Sequence, residues 1–165
     1  MKKIIVILLT VIIVLNTNNF TNDDLLRIRI IANSNSEHDQ KIKTNIVKNL
    51  ELKLYNLLKD VNSKTLAKNL IKSNIDNIEN IVIDNLKNEN YGYEINYGLN
   101  YFPEKTYNGK KYKEGNYESL LITLGEGNGE NWWCILFPPL CLIEAEENEE
   151  VEYSFFLQEL FNKIF

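Results

Sequence analysis

The chain is 165 residues long and 44% hydrophobic, with 18 basic and 23 acidic side chains and a net charge of −5. That length supports one domain that buries about two-thirds of its unfolded surface. The acidic balance excludes the broad basic face that binding to nucleic acid or anionic lipid needs.

At the N-terminus, Lys2 and Lys3 precede an apolar run from Ile4 to Leu15 that has no polar face. This is the order of a secretory signal, and the run is short for a helix across a bilayer. Residues 1–20 are therefore expected to be a signal peptide or an N-terminal anchor, and residues 23–165 the exported domain. Without Lys2 and Lys3, 16 basic side chains face 23 acidic ones, a net charge of −7. The membrane is expected to be met only through this N-terminal segment.

LLRIRIIANS (Leu25–Ser34) alternates Leu26, Ile28 and Ile30 against Arg27 and Arg29, which predicts a strand with one buried face. Ser36, three residues before Asp39, is a predicted N-cap. Beyond it Ile42, Ile46, Leu50, Leu54, Leu57 and Leu58 recur at helical spacing, predicting a helix to about Lys59. A second helix is expected from near Ser63, with Leu66, Leu70, Ile71, Ile75, Ile78, Val82 and Leu86 as its stripe. Period two returns at Tyr91, Tyr93, Ile95, Tyr97, Leu99 and Tyr101. NGKKYKEGN (Asn108–Asn116) carries hairpin-turn residues at both ends. Strands follow at Tyr117–Gly125 and Trp132–Phe137. EAEENEE (Glu144–Glu150) reads as a solvated turn, and Val151–Phe165 as a closing amphipathic helix or a strand running into a short helix. The expected class is α+β: a single two-layer domain with two helices of the N-terminal half packed on a mainly antiparallel sheet.

No catalytic set stands out. The single histidine, His38, reads as a polar residue of a helix's first turn, and nothing near Cys134 predicts a lowered thiol pKa. One histidine and two cysteines without paired spacing do not make a zinc site, so no metal or cofactor is expected. Glu126 and Glu130 could do acid–base work, but acids are too common here to discriminate.

GEGNGENWWCILFPPLC (Gly125–Cys141) holds both tryptophans, both cysteines and two of the three prolines. GEGNGE does not open a helix, as a phosphate-cradling loop would. It reads as a turn between strands, with positive φ open to Gly125, Gly127 and Gly129. Trp132 and Trp133 are adjacent in a strand and should point to opposite faces. An exposed Trp there suits sugar stacking or a protein contact, and partial burial of both rings with nothing bound is the plainer alternative. Cys134 and Cys141 in one extended strand would lie about 23 Å apart, beyond bridging reach. Pro138 and Pro139 end the strand and could turn the chain back. A Cys134–Cys141 bridge and two buried thiols both remain open.

On these residues the chain resembles the stage II sporulation protein R family of endospore-forming bacteria. The Gly125–Cys141 run carries the resemblance, together with LRIRIIANSNSEHDQKIK (Leu26–Lys43 with the preceding Leu25) and YFPEKTYNGKKYKEGNYESL (Tyr101–Leu120). Two departures lie in turns: Asn35 stands where the family usually has Asp, and Lys113-Glu114 where it usually has Pro-Ala. The resemblance implies a signal rather than an enzyme. Such proteins are made in the forespore and exported into the space between its two membranes. There they trigger a mother-cell membrane aspartic protease that processes the precursor of sigma factor E. Docking on the extracytoplasmic part of that protease would use Trp132 or Trp133 as anchor and Asn131 and Glu126 as polar rim. Pro138, Pro139 and a Cys134–Cys141 bridge would hold the shape. An exported module that binds cell-wall peptidoglycan is the alternative.

Overall fold

β1 (Leu26–Ile31) occupies the middle of the sheet, and its alternation decides where each layer goes. The structure is a computed structural model that describes residues 24–107 and 110–139. The expected signal segment and the Val151–Phe165 element lie outside those residues. Three further strands complete the sheet: β2 (Tyr93–Phe102), β5 (Gly115–Leu124) and β6 (Asn131–Phe137), in the order β2-β5-β1-β6. β1 runs parallel to β5 and antiparallel to β6, and β2 is antiparallel to β5, so the sheet is mainly antiparallel. The Asn108-Gly109 region is flanked by a separate small ladder of β3 (Lys105–Tyr107) and β4 (Lys110–Tyr112).

The helix layer begins with α1 (Glu37–Leu58), capped as the sequence predicts: the Ser36 hydroxyl accepts from the Asp39 amide at 3.1 Å. Ser63 caps the next helix in the same way, through the Leu66 amide at 3.3 Å. One expected helix is in fact two, α2 (Lys64–Ser73) and α3 (Ile75–Leu86). The break is at Asn74, whose side chain donates to the Leu70 carbonyl at 2.9 Å and accepts from Asn77 at 3.2 Å. Asparagine competes with the helix for backbone partners. The apolar stripe runs through the break, because Ile71, Ile75, Ile78 and Val82 keep helical spacing, so periodicity could not show it.

Ile28, Ile30, Leu120, Ile122 and Cys134 form the sheet's contribution to the core, and Ile46, Leu50, Leu54, Ile71, Ile78 and Val82 the helical one. Each fully buried aliphatic side chain contributes about 1.5–3 kcal/mol. On β5, Glu118 ties α2 down through Lys64, at 3.5 Å, and Lys68. No helix among the described residues is long and apolar enough to cross a membrane.

The strand pattern of β1 predicts one buried face, and two are buried. Arg27, on the side away from the helices, is fully buried beside Tyr117, Phe102 and Tyr112. Alternating charge reads as a wet face in sequence. Here aromatic side chains from distant segments cover it.

Candidate functional site

The Gly125–Glu130 loop joins β5 to β6 and lies against the Ala32–Ser36 turn that leads from β1 into α1. Every backbone N–H of the loop is engaged. Gly125 donates to Gly92 O at 2.7 Å, Gly127 to Leu124 O at 3.1 Å, Asn128 to Asn33 O at 3.0 Å and Gly129 to Ala32 O at 2.9 Å. Glu126 N donates to Asn33 Oδ1 at 3.0 Å and Glu130 N to Asn35 Oδ1 at 2.7 Å. With its amides occupied, the loop offers no backbone cradle for an anion, and the glycine-rich stretch is a fastened platform rather than a mobile one. Asn35 acts only as an acceptor in these contacts, which the carboxylate of the family's usual Asp could do equally.

Two glycines follow from this close approach. Gly125 sits at φ 55°, and a Cβ there would also collide with the Asn33 side chain. A Cβ at Gly129 would run into the Ser34 carbonyl. Gly129 needs its missing side chain for proximity, since positive φ occurs in this loop at Gly125 and Gly127 only.

Beneath the turn, Asp39 collects the donors. Its Oδ2 accepts from Ser34 Oγ at 2.5 Å and Asn33 Nδ2 at 3.0 Å, and its Oδ1 from the Tyr91 hydroxyl at 2.8 Å. The Ser34 bond is the largest influence and, with those from Tyr91, Asn33 and Ser36, outweighs the opposing effect of burial. The carboxyl is held down to about 2. Burial and the Asp39 carboxylate push the Tyr91 hydroxyl up. Lys43, also buried, donates from Nζ to Glu130 O at 2.9 Å and Gln40 Oε1 at 2.5 Å, anchoring the loop's far end to α1. Two motifs some ninety residues apart in the chain thus form one hydrogen-bonded unit.

On this frame Glu126 and Asn131 are exposed, and the Glu126 carboxylate accepts from Asn128 Nδ2 at 3.0 Å. Trp132 pairs in register with Ile30 and packs on the helix-side core; Trp133 pairs with Arg29 and packs on the opposite face, edge-on to Tyr112 at 6.4 Å. The two rings are on opposite faces as the sequence predicts, and both are half-buried. β6 ends at Phe137, and the Phe137–Pro138 peptide is cis where Pro138 and Pro139 form a turn. Cys134 is wholly buried and is not a free thiol, which removes it as a nucleophile. Cys141 lies outside the described residues. His38, exposed in the first turn of α1, meets Glu89 at 3.0 Å. Among the described residues, no group of three His, Cys, Asp or Glu could hold a metal ion.

Sequence reading did not find the Arg27 surroundings, Asp39, or Lys43 as loop anchors. The one signal for Asp39 was its place three residues after the Ser36 cap. Arg27 gave none beyond the alternation of β1.

The profile of the family described as Stage II sporulation protein R matches residues 22–147. The chain is 37% identical over 132 residues to the Stage II sporulation protein R of Bacillus subtilis (strain 168), a match covering 79% of this chain and 59% of that relative. No solved structure matches the chain. From the strand, turn and loop that these residues build to the length of the match, the chain belongs to the stage II sporulation protein R family.

Proposed function

We propose that this protein is an exported sporulation signal. It passes from the forespore into the space between the two surrounding membranes, where it activates a mother-cell membrane aspartic protease that processes the sigma factor E precursor. Family membership over residues 22–147 is the observation that carries this reading. The geometry supports a binding role for the loop. With all six amides bonded internally, little ordering cost is left for a partner to meet. Glu126 and Asn131 stand at the exposed rim, with Trp132 or Trp133, next in the chain, as the aromatic anchor. A Cys134–Cys141 bridge and the Pro138-Pro139 turn would fix the end of β6. Sugar stacking on peptidoglycan needs an open ring face, and both tryptophans are half-buried in packing contacts, so that alternative is disfavoured.

Reconstituted processing tests the reading. The protease and the sigma factor precursor are expressed in a non-sporulating host with and without this protein, and precursor cleavage is followed on a blot. Cleavage should require this protein. It should fall at least tenfold for Trp132→Ala or Trp133→Ala in a variant that is secreted at the normal level. Absence of cleavage with well-secreted, folded protein would refute direct activation.

A further inference from the structure

Arg27 and Arg29 project from β1 on the sheet face away from the helices. Arg27 is completely buried, yet its Nε, Nη1 and Nη2 have no hydrogen-bond partner among the described residues; nor does the buried Nε of Arg29. The Arg27 guanidinium lies over the Tyr117 ring, 3.5 Å from its centre, with the Phe102, Tyr112 and Trp133 rings at 5.2, 5.4 and 5.6 Å. The Tyr117 hydroxyl donates its own proton to the Lys113 carbonyl at 2.6 Å. Arg29 shares the Phe102 ring, 5.1 Å from its centre.

These ring contacts offset only part of what burial costs, because an arginine carries five N–H donors in a planar fork and a buried charge without hydrogen bonds is strongly disfavoured. Burial lowers the pKa of both arginines, but the guanidinium remains charged. The chain has 23 acidic residues, and among the described ones none forms an ion pair with either arginine. Among the described residues, these two cations thus have no counter-charge.

We infer that this face is a docking site for a carboxylate side chain on an extended acidic segment of a partner protein, with Arg29 as its direct ligand and Arg27 as a fixed second charge behind it. Arg29 is only half-buried, so it is the reachable member of the pair. Trp133 and Leu121 lie opposite Arg29 on the two neighbouring strands. Both are half-buried, and Leu121 gives an apolar flank for a residue beside the carboxylate. A carboxylate on Arg29 forms a charge-assisted, fork-shaped pair, and the aromatic walls keep water from screening the attraction. The inference stands apart from the protease reading: it specifies the chemistry of the occupant, whichever protein supplies it.

The test uses the full chain and a blocked octapeptide with two glutamates, two residues apart, between leucines, beside its glutamine twin. Binding is followed by tryptophan fluorescence, and stability by thermal unfolding. The glutamate peptide should bind saturably and at least tenfold more tightly than the twin, and Arg29→Gln should lose at least tenfold. Arg27→Met should weaken binding severalfold while raising Tm, because it removes an unpaired buried charge. Equal binding of the two peptides, or unchanged affinity in Arg29→Gln, overturns the inference. A lower Tm for Arg27→Met also overturns it, since the arginine would then be a structural part of the aromatic cluster. Replacing Glu144, Glu146, Glu147, Glu149 and Glu150 by Gln separates a partner from the chain's own acidic stretch. Unchanged peptide affinity supports the partner, and a tenfold gain would make that stretch the occupant and overturn the assignment.

Discussion

Lowering the pH should unfasten the Ala32–Ser36 turn at a defined point, through Asp39. Its carboxyl titrates at about 2 in the folded protein against an ordinary 3.8. A depressed folded pKa contributes stability that is fully present above about pH 4 and is lost as pH falls through about 2. The shift corresponds to about 2.4 kcal/mol at 1.36 kcal/mol per unit. Asp39 is only 5% exposed, but its hydrogen bonds are to partners that are themselves only part-buried. Solvent screening therefore reduces the expected contribution to about 1–2 kcal/mol. Urea unfolding of the wild type and of Asp39→Asn, at steps from pH 7 to pH 2, measures it. The variant should be less stable by about 1–2 kcal/mol at pH 7, and the gap should shrink steadily as pH falls towards 2, where the folded Asp39 carboxyl is about half protonated. Other carboxylates titrate in the same range, so the difference between the two proteins is the quantity to follow. A gap independent of pH, or an Asp39 titration near 4 by carboxyl NMR, would refute the account.

Gly129→Ala drives a methyl into the Ser34 carbonyl and should cost about 1–3 kcal/mol in thermal unfolding, as overpacking against backbone does; a neutral effect would mean that the loop is not pinned there. Lys43→Met leaves the Glu130 carbonyl and the Gln40 side chain without their donor, so a loss of about 1–3 kcal/mol is expected in the same assay. Hydrogen exchange of the Gly125–Glu130 amides should be slow in the wild type and markedly faster in Asn33→Ala, which deletes the acceptor of Glu126 N. Leu99→Ser should change stability by less than about 0.5 kcal/mol, because Leu99 is 75% exposed on β2.

Much of this protein is legible from local pattern. Ser36 and Ser63 mark their helix starts because a hydroxyl satisfies an N–H three residues on, a contact wholly within one turn. The alternations of Leu26–Ile31 and Tyr93–Tyr101 give strands, and the adjacency of Trp132 and Trp133 puts their rings on opposite faces, because side-chain direction in a strand depends only on parity. The resemblance to the family is likewise readable in the linear motifs. The break at Asn74 was hidden because an uninterrupted apolar stripe outweighs one asparagine in any periodicity argument. What only the tertiary structure decided is which strands meet and what covers each face. β1 enters between β5 and β6, and this brings the Ala32–Ser36 turn beneath the Gly125–Glu130 loop, so that Asn33, Asn35 and Lys43 come to hold the backbone of Glu126 and Glu130 some ninety residues away. The same insertion buries Arg27 among Phe102, Tyr112, Tyr117 and Trp133. Period and capping express forces that act within about four residues, whereas pairing across the sheet is selected by the fit of whole faces, and no single stretch of sequence contains that fit.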